Sequence, residues 1–226
     1  LPICIISKEK ETKDITSFYL APHDGKLLPG FFPGQFLTFQ LQIPGQAQPV
    51  IRCYSLSDSP NHPDRYRVSI KKVPAPRDKP NVPPGLSSNY FHDSLNEHDI
   101  VDVKAPSGHF YLKINENKPV VLLSGGVGIT PVLSMLNTLV ELDSQREIWF
   151  FLGVRDKTEH VMKEHLEKVA IENPNVNLKI FYSRPRETDL KGDDYHIEGR
   201  VSVENFKPLL PSNNYEFYIC APPPMV

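Results

Sequence analysis

The passage from Val120 to Pro131 limits the fold more than any other part of the chain. A fully apolar strand-like run, Val120–Ser124, breaks into Gly125-Gly126-Val127-Gly128, and apolar residues resume at helical spacing from Ile129. A strand with no polar face must be covered on both sides, which is the condition of a parallel sheet. The three glycines permit a tight turn in which a pyrophosphate can approach the backbone. The helix start behind them offers unpaired N–H groups and the positive end of a dipole. Pro131 suits a first helical turn, where its missing N–H is not needed. Against a plain strand–helix turn, this context favours dinucleotide binding.

The pattern downstream agrees. Ile129–Leu142 reads as a helix, Ile148–Gly153 as a strand, Thr158–Ile171 as an amphipathic helix, and Val176–Tyr182 and Tyr215–Cys220 as strands, with a weaker helical stretch at Ser202–Leu210. Strand alternating with helix predicts right-handed crossovers in a doubly wound parallel sheet. Upstream the period is different. Ile3–Ser7, Ile15–Leu20, Gln35–Gln42, Ile51–Ser57, Arg67–Val73 and Ile100–Lys104 are short, rich in β-branched and aromatic residues, and bounded by turn formers. They predict a closed antiparallel barrel, interrupted by one helix over Ser88–Leu95 with a serine N-cap. The boundary falls in the polar stretch Lys113–Lys118, giving domains 1–114 and 115–226. Val73–Gly85 holds five prolines. It is a stiff surface loop, or a lid over a ligand beside Gly85.

The 226 residues suffice for two modest cores. A net charge of -2 gives no bulk reason to expect nucleic acid or an anionic membrane as partner, and no apolar run approaches a membrane span. Cys4, Cys53 and Cys220 are far apart and suggest neither a disulfide framework nor a zinc site. Cys4 and Cys53 read as buried small hydrophobes, and a reducing cytoplasm is the expected compartment. His92, His98 and His109 show no metal spacing, His160 and His165 do not share a helix face as i, i+4 ligands would, and Gly199-Arg200 reads as a turn. The chain begins at Leu1 and stops just after a strand-like run, so it is expected to be a fragment, C-terminally truncated.

Two further motifs carry chemistry. In Arg52-Cys53-Tyr54-Ser55, strand alternation puts Arg52 and Tyr54 on one face, where a guanidinium can hold a phosphate and a ring can stack on a flat ligand. The Ser55 hydroxyl can exchange a hydrogen bond with a ring nitrogen. Gly85-Leu86-Ser87-Ser88 opens a short helix and offers a second phosphate site by its N-terminal N–H groups. Taken alone, each also reads as ordinary strand packing or an ordinary cap.

The ordered set Pro33-Gly34-Gln35-Phe36, Arg52-x-Tyr54-Ser55, Gly85-x-x-Ser88, Gly125 to Pro131 and Cys220-x-Pro222-Pro223-Pro224-Met225 resembles the ferredoxin–NADP reductase superfamily. It is most similar to the reductase module of flavohaemoglobins and related NAD(P)H oxidoreductases. The resemblance covers essentially the whole chain. It implies a flavin-binding barrel followed by a nucleotide-binding α/β domain, with FAD preferred to FMN and NADPH or NADH as substrate. By resemblance Arg52 holds the flavin phosphate, Tyr54 stacks on the ring system and Ser55 bonds near its N5. Cys53 lies in the same cofactor-binding run. Phe36, Ile70 and Lys71 match flavin-contacting positions, and Gly85, Leu86, Ser87 and Ser88 the pyrophosphate helix. Gly125, Gly126, Val127, Gly128, Ile129 and Thr130 match the nicotinamide-dinucleotide loop. Cys220 matches the cysteine near the nicotinamide, and position 221 is Ala where the family usually has Gly.

The implied reaction passes hydride from NAD(P)H to the flavin, then single electrons to an iron–sulfur domain, a haem domain or a separate ferredoxin. The competing reading is a non-catalytic nucleotide-binding module on the same fold. Ser183 and Arg184, with Arg186 beyond them, follow the third strand of the α/β part. They suit an adenosine 2′-phosphate, which gives an expected preference for NADPH.

Overall fold

The β-branched and aromatic runs of the first half form six antiparallel strands: β1 (Pro2–Lys10), β2 (Ile15–Pro22), β3 (Phe36–Leu41), β4 (Val50–Ser55), β5 (Tyr66–Lys71) and β6 (Ile100–Ser107). The computed structural model describes residues 1–76, 78–79 and 81–222. Arg77 and Pro80 of the proline-rich segment, and Pro223 to Met225 of the last motif, lie outside the described residues. The strand order is β4-β3-β6-β1-β2-β5. The two end strands meet through an antiparallel Leu56–Val68 bridge and a 2.8 Å bond from the Ser57 N–H to the Arg67 carbonyl. The sheet thereby closes on itself, as the expected barrel requires. Alternation sends Ile3, Ile5, Phe18, Leu20, Leu37, Phe39, Val68 and Ile70 inward to a buried core. Helix α1 (Leu86–Asp93) plugs that core with Phe91, whose ring meets Phe18, Phe39 and Tyr54 edge-on at 5.1–5.4 Å.

The second half follows the alternating pattern through β7 (Val120–Gly125), α2 (Ile129–Glu141), β8 (Ile148–Val154), α3 (Lys163–Glu172), β9 (Val176–Tyr182), β10 (Ile197–Glu198), α4 (Val203–Phe206) and β11 (Glu216–Cys220). All five strands are parallel, in the order β10-β9-β8-β7-β11. Val120 and Leu122 of β7 face α2 and α3, while Val121 and Leu123 face Phe206 and Tyr215 on the other side. The apolar β7 is therefore covered on both faces. The chain winds from β7 out to β10 and returns beyond β7 to β11, so the topological switch lies at the carboxyl ends of β7 and β11. Among the described residues no helix is long and apolar enough to cross a membrane.

The two sheets are tied by polar contacts as well as packing. The Ser134 hydroxyl on α2 donates to the Asp58 carbonyl oxygen at 2.6 Å, and the Asn137 amide donates to the Asp58 carboxylate at 2.9 Å. His165 Nε2 lies 2.8 Å from Asn137 Oδ1, which extends the link to α3.

Several expectations need correction. Helix α1 starts at Leu86, and Gly85 rather than a serine is its N-cap, with no side-chain cap bond. Thr158–Ile171 is not one helix: a 3-10 turn at Lys157–Glu159 and a left-handed Met162 precede α3. The Asp156 carboxylate accepts from the Thr158 N–H at 2.8 Å, which starts the turn early, and burial of His160 then breaks it from the helix. Cys53 is exposed, not buried, and lies beside Thr38 Oγ1 at 3.5 Å.

Candidate functional site

Strand β4 and the start of α1 face each other across a cavity of about 490 Å³. Arg52, Cys53, Tyr54 and Ser55 form one wall, Gly85 to Ser88 a second, and Ser69, Ile70 and Lys71 of β5 a third. Among the described residues the Arg52 guanidinium bonds only to the Ile51 carbonyl oxygen, at 2.7 Å. The Tyr54 hydroxyl and the buried Ser87 hydroxyl are 2.9 Å apart, and Phe39 and Phe91 hold the Tyr54 ring edge-on. Burial pushes the Tyr54 phenol up from its ordinary range, so it stays a neutral hydrogen-bonding group. The first N–H groups of α1 open toward this space without a side-chain cap. Two cations and no carboxylate line the cavity among the described residues.

The fourth wall is the turn after β7. Gly126 takes φ +54° with open space around it, and Gly126–Gly128 form a 3-10 turn into α2. Gly128 has a different constraint: a Cβ there would lie 2.2 Å from the Cys220 carbonyl oxygen. Strand β11 thus presses directly on the turn, and Val127, Gly128, Thr130 and Cys220 close the first cavity. Burial raises the Cys220 thiol above its ordinary range, which keeps it protonated near neutral pH.

On the far side of the same turn is a second cavity of about 460 Å³. Gly125, Gly126, Ser183, Arg184, Arg155 and Arg200 line it, with Glu159 as its one carboxylate among the described residues. Glu159 is paired with Arg155 at 3.5 Å. Lys71 and Val127 belong to the walls of both cavities.

Most of the residues singled out in the sequence therefore converge, but three do not. Phe36 is paired across the sheet with Ser55, yet its ring lies over Gly108 and lines neither cavity. Ile129 is buried in the core of the second domain, and its N–H already bonds to the Gly126 and Val127 carbonyl oxygens. Arg186 is turned away from the second cavity toward Asp156, at 3.4 Å, and the Thr158 hydroxyl, at 3.2 Å. Conversely, Arg155 and Arg200 were not anticipated. Arg155 follows directly on β8 and Arg200 is separated from the end of β10 by Gly199 alone, both parallel strands, and that position at the carboxyl edge was the available signal.

Two cavities divided by a glycine turn at the switch point have the form of a site for two ligands that meet at the turn. Residues 2–111 match the oxidoreductase FAD-binding domain family and residues 122–226 the oxidoreductase NAD-binding domain family. The chain belongs to the ferredoxin–NADP reductase superfamily and is an FAD- and NAD-binding oxidoreductase module. It is 43% identical over 222 residues to a flavohemoprotein of Bacillus thuringiensis subsp. konkukian, covering 98% of this chain and 54% of that protein. The chain spans about half the length of the curated relatives it matches. The flavohem-like FAD/NAD-binding domain of a nitric oxide dioxygenase from Vibrio cholerae O1 biovar El Tor superposes with a TM-score of 0.85 at 28% identity, over 98% of this chain and 86% of that one. A phthalate dioxygenase reductase, described as passing electrons from pyridine nucleotides to [2Fe-2S], gives 0.74 at 28% identity, over 98% and 60%.

The residues present fit FAD. A guanidinium bonded to one backbone carbonyl, helix N–H groups without a side-chain cap and the absence of carboxylates among the described residues of the first cavity suit a pyrophosphate. The tyrosine ring and the Ser55 hydroxyl on the same wall suit the ring system.

Proposed function

We propose that this chain is the reductase part of a haem-reducing enzyme. Residues 1–114 act as the FAD domain and residues 115–226 as the NAD(P)H domain, in the cytoplasm. Bound FAD supplies the ability to accept a hydride and to release its two electrons singly. Arg52 and the start of α1 hold the pyrophosphate, Tyr54 orients the ring system, and Ser55 offers its hydroxyl to the reacting edge. Cys220, neutral and fixed against Gly128, shapes the place where the nicotinamide lies. The observation that carries this reading is the shared wall. Lys71 and Val127 border both cavities, so a dinucleotide in the second needs only to bend around the turn to reach the first. The 43% identity to a flavohemoprotein favours haem over an iron–sulfur acceptor.

We further infer that Ser183 and Arg184 receive a 2′-phosphate, with Arg200 opposite, so NADPH is preferred to NADH. Arg186 plays no part, since Asp156 and Thr158 hold it. The test has two stages. Cofactor extracted from the purified protein is identified by mass, with FAD expected and FMN alone contradicting the proposal. Reduction of bound flavin is then followed with NADPH and NADH. Preference for NADPH in the parent that Arg184→Ala abolishes is the expected outcome, and equal rates in the parent would refute it.

A further inference from the structure

A chain of buried hydroxyls leaves the first cavity through the interface between the two sheets. Ser69, on the wall of that cavity, lies 2.7 Å from the fully buried Ser17 across the β2–β5 pairing. The Ser17 hydroxyl donates to the Glu11 carboxylate at 2.5 Å. Glu11 opens on a different cavity, about 570 Å³, between β1 and the segment leading into α3. Each hydroxyl carries one proton, so donation by Ser17 to Glu11 obliges Ser69 to donate to Ser17. The wire is polarised outward. Its side branch leads nowhere: Ser57 lies 2.9 Å from Ser69 but receives a bond from Arg67 Nε at 3.2 Å, and a guanidinium cannot accept a proton.

We propose that Ser69, Ser17 and Glu11 form the proton exit of the flavin cavity. The inference rests on the function proposed above, and the balance of that reaction demands an exit. Bound FAD would supply hydride acceptance and one-electron release, for an overall change of NAD(P)H plus two oxidised acceptors giving NAD(P)+, two reduced acceptors and one proton. That proton must cross the protein. Ser69 takes it as its own proton passes to Ser17, Ser17 passes one to the Glu11 carboxylate, and Glu11 releases it to the outer cavity. Burial holds the Glu11 carboxyl above its ordinary range despite the Ser17 bond, with Glu9 adding to the rise and Arg67 opposing it. Glu9, Lys10, Tyr19 and Arg67 face it from the barrel, and Lys157, His160, Lys163, Glu164 and His165 from the second domain. A carboxylate of raised basicity, half-exposed at the end of a buried wire, is suited to collect a proton and return it to water.

Two measurements test this on the whole chain. In flavin-free protein, infrared titration should find a protonated carboxyl band, absent from Glu11→Gln, that persists above the ordinary glutamate range. A Glu11 that titrates normally would remove the base and overturn the relay. In FAD-loaded protein, pre-reduced with NAD(P)H and mixed with ferricyanide, a pH-indicator dye should report proton release in step with flavin reoxidation. Glu11→Gln and Ser17→Ala should bind FAD as the parent does but delay release by about 100-fold, the lower range for a positioned acid–base group. Ser17→Thr, which keeps the hydroxyl, should restore it; a purely structural role would not follow the hydroxyl in this way. Release that keeps pace with reoxidation in both variants overturns the relay alone. A parent chain that takes up no FAD overturns the proposed function and the relay with it.

Discussion

Arg52 is the residue on which the flavin assignment is most directly tested. Its guanidinium stands on the cavity wall with one backbone carbonyl as partner, so it is available for charge-assisted bonds to a phosphate. Arg52→Ala is expected to weaken FAD binding by about 1.5–3 kcal/mol in a fluorescence titration, with little change in the urea midpoint. The glycines of the turn show what a sequence can and cannot convey at this scale. All three read alike as room for a ligand, and the turn was placed correctly. Yet Gly126 serves a left-handed backbone, while Gly128 serves the approach of Cys220, a contact made by a strand far along the chain and invisible to local pattern. Gly126→Ala should cost about 1 kcal/mol in equilibrium unfolding. Gly128→Ala should cost about 1–3 kcal/mol by overpacking, and should also weaken NAD(P)H binding as the turn shifts.

At the scale of elements, periodicity located α2 and every described strand but the two-residue β10 within a few residues, and failed at the entry to α3. Residues 158–171 have the spacing of one amphipathic helix, but a tertiary bond decides the outcome. His160 Nδ1 lies 2.8 Å from the Tyr182 hydroxyl on β9, and the ring is buried there with Nε2 unpartnered. Burial, reinforced by Lys163, lowers the His160 pKa to about 4 from the unfolded value near 6.5. The folded state thus resists a proton that the unfolded chain accepts. This contribution is complete above pH 6.5 and is lost as pH falls toward 4, the loss there amounting to about 3 kcal/mol. Urea unfolding between pH 7 and pH 4 should show a flatter pH dependence for His160→Gln than for the parent. Parallel curves would mean that this histidine titrates normally.

Over the whole molecule, the order barrel-then-doubly-wound sheet was legible because the change of period near Val120 reflects two modes of burial, one-faced and two-faced. The contacts between the halves were not, since Asp58, Ser134 and Asn137 have nothing in their surroundings along the chain to pair them. Asp58 accepts bonds through both its carbonyl and its carboxylate from α2, with Arg67 at 3.6 Å. Asp58→Ala should cost about 1–3 kcal/mol of stability. It should also slow flavin reduction by NAD(P)H more than it weakens FAD binding, a difference that rapid-mixing spectroscopy can measure. Lys71, finally, sits in the partition between the two cavities, paired with Asp14 at 3.3 Å. With the two ligands placed as proposed, this single charge borders both and makes them partners in one equilibrium. By whatever factor occupation of one cavity alters the affinity of the other, the reverse must hold by the same factor, so the flavin senses the nicotinamide as strongly as the nicotinamide senses the flavin.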